Sequence, residues 1–127
     1  MHVEELKDTK GFLYLASPYS RYPYGMEAAY ATVSEIAARV IEFKVPVFSP
    51  IAHSHGIAMH GEIDPSSHDI WLPVCQPMID AAAGMIIAEM EGWSDSVGIR
   101  FEIEEFAKAK KPIWRMSPDF FLVWPHT

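Results

Sequence analysis

Gly84-Met-Ile-Ile-Ala-Glu-Met-Glu-Gly-Trp-Ser-Asp-Ser-Val-Gly-Ile-Arg-Phe-Glu102 is the stretch that decides the fold class. Its first five residues, Gly84 to Ala88, form a short apolar run without charge, the pattern of a buried strand. A polar loop follows from Glu91 to Ser96. From Val97 to Lys110 the period becomes helical, with Ile99, Ile103, Phe106 and Ala107 on one face. Strand, polar loop and helix make up half of a βαβ unit.

The same grammar runs through the rest of the chain. Phe12 to Ala16 is an apolar, aromatic-bearing run stopped by Ser17-Pro18, which predicts a first strand and a loop. Met26 to Phe43 is helical by period: Ala29, Val33, Ile36, Ala37 and Val40 share a face, and Glu35 and Arg39 form an i,i+4 pair opposite. Val45 to Phe48 is a second strand. Residues 51 to 68 have no clear period, carry four of the six histidines, and read as a long loop. A helix is expected from about Asp69 to Ala82, a fourth strand from Lys111 to Trp114, and a closing apolar stretch from Phe120 to Trp124. Alternating strands and helices imply parallel pairing, so residues 1–127 are expected to form one α/β domain. The expected architecture is a three-layer sandwich around a mainly parallel sheet, with residues 1–10 as a polar N-terminal extension. Ligands of such sheets bind beyond the carboxyl ends of the strands.

Composition narrows the function. The 127 residues are half hydrophobic and carry a formal charge of −7, with no basic stripe of the kind that grips duplex nucleic acid. Cys75 is the single cysteine, so no intramolecular disulfide can form. The polar start of the chain lacks a secretory core, and no apolar run reaches the roughly 20 residues of a membrane span. A cytoplasmic protein with no membrane partner is expected.

Two loops at strand ends look chemical. In the second, Ser94, Asp95 or Ser96 can cap the following helix, and Gly98 leaves its first turn open to a ligand or anion. Glu102 lies one turn beyond Gly98 at the edge of the apolar face, whereas Arg100, Glu104 and Lys108 share another line and suit a solvated ion pair. Spacing leaves Glu102 as either a crevice-facing nucleophile or a partly exposed helix residue. In the first loop, Ser17, Ser20 and Arg21 can donate to a sugar or phosphate, Pro18 stiffens the turn, and Tyr14 and Tyr19 can stack or donate.

Together, Tyr14-Leu-Ala-Ser-Pro-Tyr-Ser and Gly92-Trp-x-x-Ser-x-Gly-x-x-x-Glu102 resemble the nucleoside 2-deoxyribosyltransferase superfamily. Within it the chain is most similar to DUF1937, a group of small bacterial and phage proteins, over about Phe12 to Trp114. The resemblance implies a flavodoxin-like or Rossmann-like fold and cleavage or transfer at the N-glycosidic bond of a nucleoside or its 5′-monophosphate. Glu102 would attack C1′ to form a glycosyl-enzyme that water or a second base resolves. Tyr14 would position or polarise Glu102, Ser96 would bind phosphate, and Ser20 would lie near phosphate or sugar. The family's acid/base aspartate falls on Gln76 here; Asp80, one turn later, is the preferred substitute, with Asp69 at the helix start as the other. The resemblance also implies a homo-oligomer, dimer or tetramer, whose subunits complete each other's sites.

Other residues carry two readings. Trp71 and Trp93 can stack on a base or simply pack. His53, Ser54 and His55 follow the second strand, with His55 the preferred polar contact. His53, His55 and His60 with Glu62 or Asp64 lack a tight ligand pattern, so no metal and no cofactor is expected. Cys75 reads as inert core. The alternatives to catalysis are a nucleotide-binding sensor on the same fold and an interaction protein using Trp93, Phe120, Phe121 and Trp124.

Overall fold

The computed structural model describes residues 1–126. Strands β1 (Leu13–Ala16) and β3 (Gly84–Ala88) contain no charged side chain and are buried along their whole length. They form the centre of a five-stranded sheet with β2 (Val47–Phe48), β4 (Ile113–Met116) and β5 (Val123–Pro125), in the order β2-β1-β3-β4-β5. The first four strands are parallel and β5 is antiparallel. This is the α/β sandwich expected from the alternation of strands and helices.

The pleat of the central strands sorts the core into two layers. Leu13 and Leu15 of β1, with Ile86 and Ala88 of β3, meet Val33, Ile36, Ala37 and Val40 of helix α1 (Met26–Glu42). Tyr14 and Ala16, with Met85 and Ile87, face the other way. They pack with Ile79 of α3 (His68–Ala81) and with Ile99 and Phe106 of α4 (Val97–Lys108). Each fully buried aliphatic or aromatic side chain contributes about 1.5–3 kcal/mol, so both faces of the sheet need helical cover. Tyr14 therefore lies on the same side of the sheet as Glu102.

The segment read as a loop is largely helix: α2 spans Pro50–Gly61 and lies along α1. The Ser49-Pro50 pair that looked like a strand stop is a helix start. Ser49 Oγ accepts from Ala52 N at 3.1 Å, and Pro50 occupies the first turn, where its missing N–H costs nothing. The period was hidden because the buried positions of α2 include Ser54, His55 and Ala58 rather than large apolar residues. Arg39 pairs with Glu42 at 2.6 Å, not with Glu35. The fourth strand begins at Ile113, two residues later than expected.

Most of residues 1–10 are polar, and the two large apolar side chains after Met1 tie the segment down. Val3 is fully buried and Leu6 packs on the same core. The Met1 ammonium donates to Val123 O at 3.1 Å, and Val123 N donates to Met1 O at 2.7 Å. Among the described residues, no helix is long and apolar enough to cross a membrane.

Gly84 opens β3 where the chain crosses Pro112. A β-carbon there would sit 2.8 Å from Pro112 O and 2.9 Å from Pro112 Cγ. Backbone cannot yield as a side chain can, so Gly84→Ala should lower unfolding free energy by about 2 kcal/mol or more. Urea unfolding checks this, and a loss below about 0.5 kcal/mol would contradict it.

Candidate functional site

The loop after β1 leads toward β2 on one side and the loop after β3 leads toward β4 on the other, so the two diverge and open a crevice at the strands' carboxyl ends. A cavity of about 290 Å³ occupies that position. Tyr14, Ser17, Tyr19 and Ser20 line it from the β1 end; Pro50, Ile51 and Ser54 from α2; and residues 65–68 with Trp71, Leu72, Cys75 and Ile79 from the start and inner face of α3. Ser96, Val97, Gly98, Phe101 and Glu102 close it from α4.

Glu102 is the only carboxylate among the described lining residues. Burial disfavours its charged form, and its pKa is pushed up to about 7 although the Tyr14 hydroxyl, donating to it, pulls the other way. Tyr14 is itself driven far above the ordinary phenol range, first by burial and then by the Glu102 charge. The pair thus keeps a phenol proton fixed on a carboxylate that ionises near neutrality. Cys75 stands beside the same hydroxyl, and burial raises its thiol pKa, so it is a poor thiolate source. It is half-buried at the cavity wall, not part of the core as the sequence suggested.

The start of α4, one turn before Glu102, also faces the cavity. Ser96 caps α4, with its Oγ accepting from Ile99 N at 3.2 Å. The Val97 and Gly98 N–H groups precede the first helical acceptor and have no intrahelical partner. A β-carbon on Gly98 would meet only Ser96 Oγ, at 3.8 Å, so the glycine leaves this helix end uncovered on the cavity side. Across from it, Ser17 is only 6% exposed and its Oγ has no hydrogen-bond partner among the described residues. A buried hydroxyl without a partner costs about 1–3 kcal/mol, a cost that a bound oxygen would relieve.

Several expected residues lie elsewhere. Asp80 is exposed, takes a hydrogen bond from Gln76 Nε2 at 2.9 Å, and does not line the cavity; Asp69 is exposed in the first turn of α3. Both are helix residues whose faces point away from the crevice. Arg21 is exposed and Pro18 is buried behind the loop. Trp93 stacks on the Arg115 guanidinium at 4.8 Å, which also holds Glu89 through two bonds of 3.0 and 3.1 Å. His55 is buried behind Tyr19 and does not line the cavity. Trp71 does line it, anchored by its Nε1 donating to Asp64 O at 2.8 Å. Glu105, not Glu104, pairs with Lys108, at 3.1 Å. No three His, Cys, Asp or Glu side chains converge as metal ligands among the described residues. Sequence reasoning missed Ser67, His68 and Phe101. His68 stacks edge-on against Phe101 at 5.3 Å, and only the helical spacing of Phe101 from Val97 and Gly98 could have hinted at that wall.

A family model described as "Domain of unknown function (DUF1937)" matches residues 11–118, a span that contains every residue lining the cavity. No curated protein matches the chain.

The raised pKa of Glu102 has a consequence for stability. In the unfolded chain this carboxyl ionises near its ordinary value of 4.5, but in the folded protein only near 7. Between those values the folded state holds a proton that the unfolded state has lost, so stability falls as pH rises through the window. Glu102→Gln removes the charge and keeps the shape. It should be more stable than the parent at about pH 8 by an amount on the order of 2 kcal/mol, and equal to it below about pH 4. Thermal unfolding of the two proteins across that range checks this; a difference independent of pH would refute it.

Proposed function

The chain belongs to the DUF1937 family, and we propose that its cavity cleaves or transfers the N-glycosidic bond of a nucleoside or nucleoside 5′-monophosphate. The observation that carries this reading is the lone, desolvated Glu102 carboxylate held against the Tyr14 hydroxyl at the switch point of the sheet. A half-neutralised carboxylate in a water-poor cavity is a poor ion-pair partner and a good nucleophile. In the proposed reaction a Glu102 oxygen bonds to C1′ while the bond from C1′ to the base nitrogen breaks. Tyr14 holds the carboxylate oxygen that does not attack. Water or a second base then displaces Glu102 and restores the starting configuration at C1′.

The remaining walls suit such a substrate. Trp71 and Phe101 offer apolar faces to a base, while Ser17, Ser96 and the free amides of α4 suit the sugar or its 5′-phosphate. The likeness of both loop motifs to nucleoside 2-deoxyribosyltransferases supports the same chemistry. The proposal includes a homo-oligomer, because Ile70 and Val74 stand exposed one helical turn apart on α3, beside the cavity wall. A second reading, a sensor that binds a nucleotide without turnover, is favoured by one observation: neither Asp80 nor Asp69 reaches the cavity to protonate a leaving base.

Incubation with ribo- and deoxyribonucleosides and their 5′-monophosphates should release free base, with the acid limb of the pH–rate profile near 7, where Glu102 ionises. Glu102→Ala should reduce release by at least about 10³-fold. Tight binding without release across the panel would select the sensor instead. Ser17→Ala should weaken use of a 5′-monophosphate about tenfold through KM and leave the unphosphorylated nucleoside unchanged. Equal losses on both substrates would remove Ser17 from the phosphate end.

A further inference from the structure

A second chain of polar groups reaches the cavity wall without involving Glu102. His55 of α2 is 3% exposed, yet both of its ring nitrogens are engaged. Nδ1 lies 2.6 Å from the Tyr19 hydroxyl, and Nε2 lies 2.6 Å from Glu27 Oε2. Tyr30 stacks on the imidazole at 4.4 Å and fixes its plane, and Tyr19 meets it edge-on. Glu27 stands at the start of α1 with its side chain 79% exposed, so the chain runs from solvent through a buried imidazole to a phenol on the cavity wall.

The proton positions follow from the partners. A carboxylate only accepts, so Nε2 carries a proton toward Glu27. Nδ1 then either accepts from the Tyr19 hydroxyl or, when the ring is protonated, donates to the phenol oxygen and frees the phenol proton for the cavity. This is the acid–base–orienter arrangement of a catalytic triad, with a phenol in place of the nucleophile. Three elements, α1, α2 and the loop after β1, converge to build it. Packing alone would be served by an apolar side chain at position 55 without burying two polar nitrogens.

We propose that Tyr19, served by His55 and Glu27, is the acid that protonates the departing base. This inference rests on the glycosidic reading above and supplies a proton from the cavity wall, which neither Asp80 nor Asp69 lines. As the bond between C1′ and nitrogen breaks, its electron pair stays on the base nitrogen. That nitrogen takes the Tyr19 proton, the phenol oxygen takes the Nδ1 proton, and His55 becomes neutral against Glu27. In the second half the incoming water or acceptor base gives its proton to Tyr19, and the Tyr19 proton returns to Nδ1, so the relay ends as it began. Tyr19 is the catalytic residue here; His55 and Glu27 position and charge it. His68 also lines the cavity, but its ring rests on Phe101, and no hydrogen bond among the described residues fixes either nitrogen.

A leaving group that needs no proton separates this role from a structural one. The test compares the best substrate of the nucleoside panel with the 4-nitrophenyl glycoside of the same sugar, whose phenolate departs unaided. Tyr19→Phe should slow base release about 100-fold and leave nitrophenolate release within about threefold of the parent. Glu27→Gln, which keeps the side chain's shape at an exposed position, should show the same selectivity at about tenfold, and Glu102→Ala should abolish both reactions. Equal losses on the two substrates in Tyr19→Phe, or no loss on either, would overturn the relay. So would a selective loss in His68→Ala with none in Tyr19→Phe. A parent protein that releases neither base nor nitrophenolate defeats the glycosidic reading itself, and the relay with it; that failure is visible before any variant is made.

Discussion

Everything at the site depends on β1 and β3 being hydrogen-bonded parallel neighbours in a fixed register, from Leu13 against Gly84 to Ala16 against Ile87. A shift of one residue would turn Tyr14 onto the α1 side and place a leucine under α4. Burial on both faces forbids that shift, because every residue of both strands except Gly84 is already part of a packed layer. The register therefore does two things at once: it closes the core and aims the phenol. The opposite departure of the two loops then opens the crevice without any dedicated structure.

Within that frame the cavity sets two groups against ordinary solvation. Glu102 is held where its charge is costly, and Ser17 where its hydroxyl finds no partner. Elsewhere Gln76, Lys111 and Arg115 are engaged, and His126 Nδ1, just past β5, is the other buried side-chain atom without a partner among the described residues. A costly charge and an unmet hydroxyl in one cavity support the proposal that it receives a ligand. The Tyr19–His55–Glu27 chain is the complementary case, with both imidazole nitrogens partnered, and on the proposal above it would lend the cavity a proton and take it back.

How much of this was legible in the sequence follows from what periodicity can encode. The strands and α1 were readable because large aliphatic residues mark a buried face with a simple period. Helix α2 was not, since its buried positions hold Ser54, His55 and Ala58, which carry no hydropathic signal. Ser17 and Ser96 could be singled out because they sit at a strand end and a helix start, where the chain's own punctuation gives their place; Tyr14 and Glu102 lie inside β1 and α4, and their expected roles came from the likeness of the two motifs, since spacing alone left Glu102 open. The partner groups were misassigned for the converse reason. Asp80 lies in the last turn of α3 and His55 in the middle of α2, and a rotation of less than half a turn decides whether such a side chain meets the cavity, its back wall or water. Cys75 and His68 reach the cavity from α3, a helix whose rotation two internal prolines, Pro73 and Pro77, make hard to read.

Gly92 carries the last consequence. It has a left-handed backbone, φ 85°, and a β-carbon on it would come within 2.8 Å of Arg21 O. The loop after β3 and the loop after β1 therefore touch backbone to backbone, with no side chain between them to act as a spacer. Such a joint has almost no freedom to slide. Mechanically the two loops form one part: a change of length in either would strain this contact. New ligand preferences would be expected to arise instead from the facing wall of α2, α3 and the segment that joins them, where side chains rather than backbones meet.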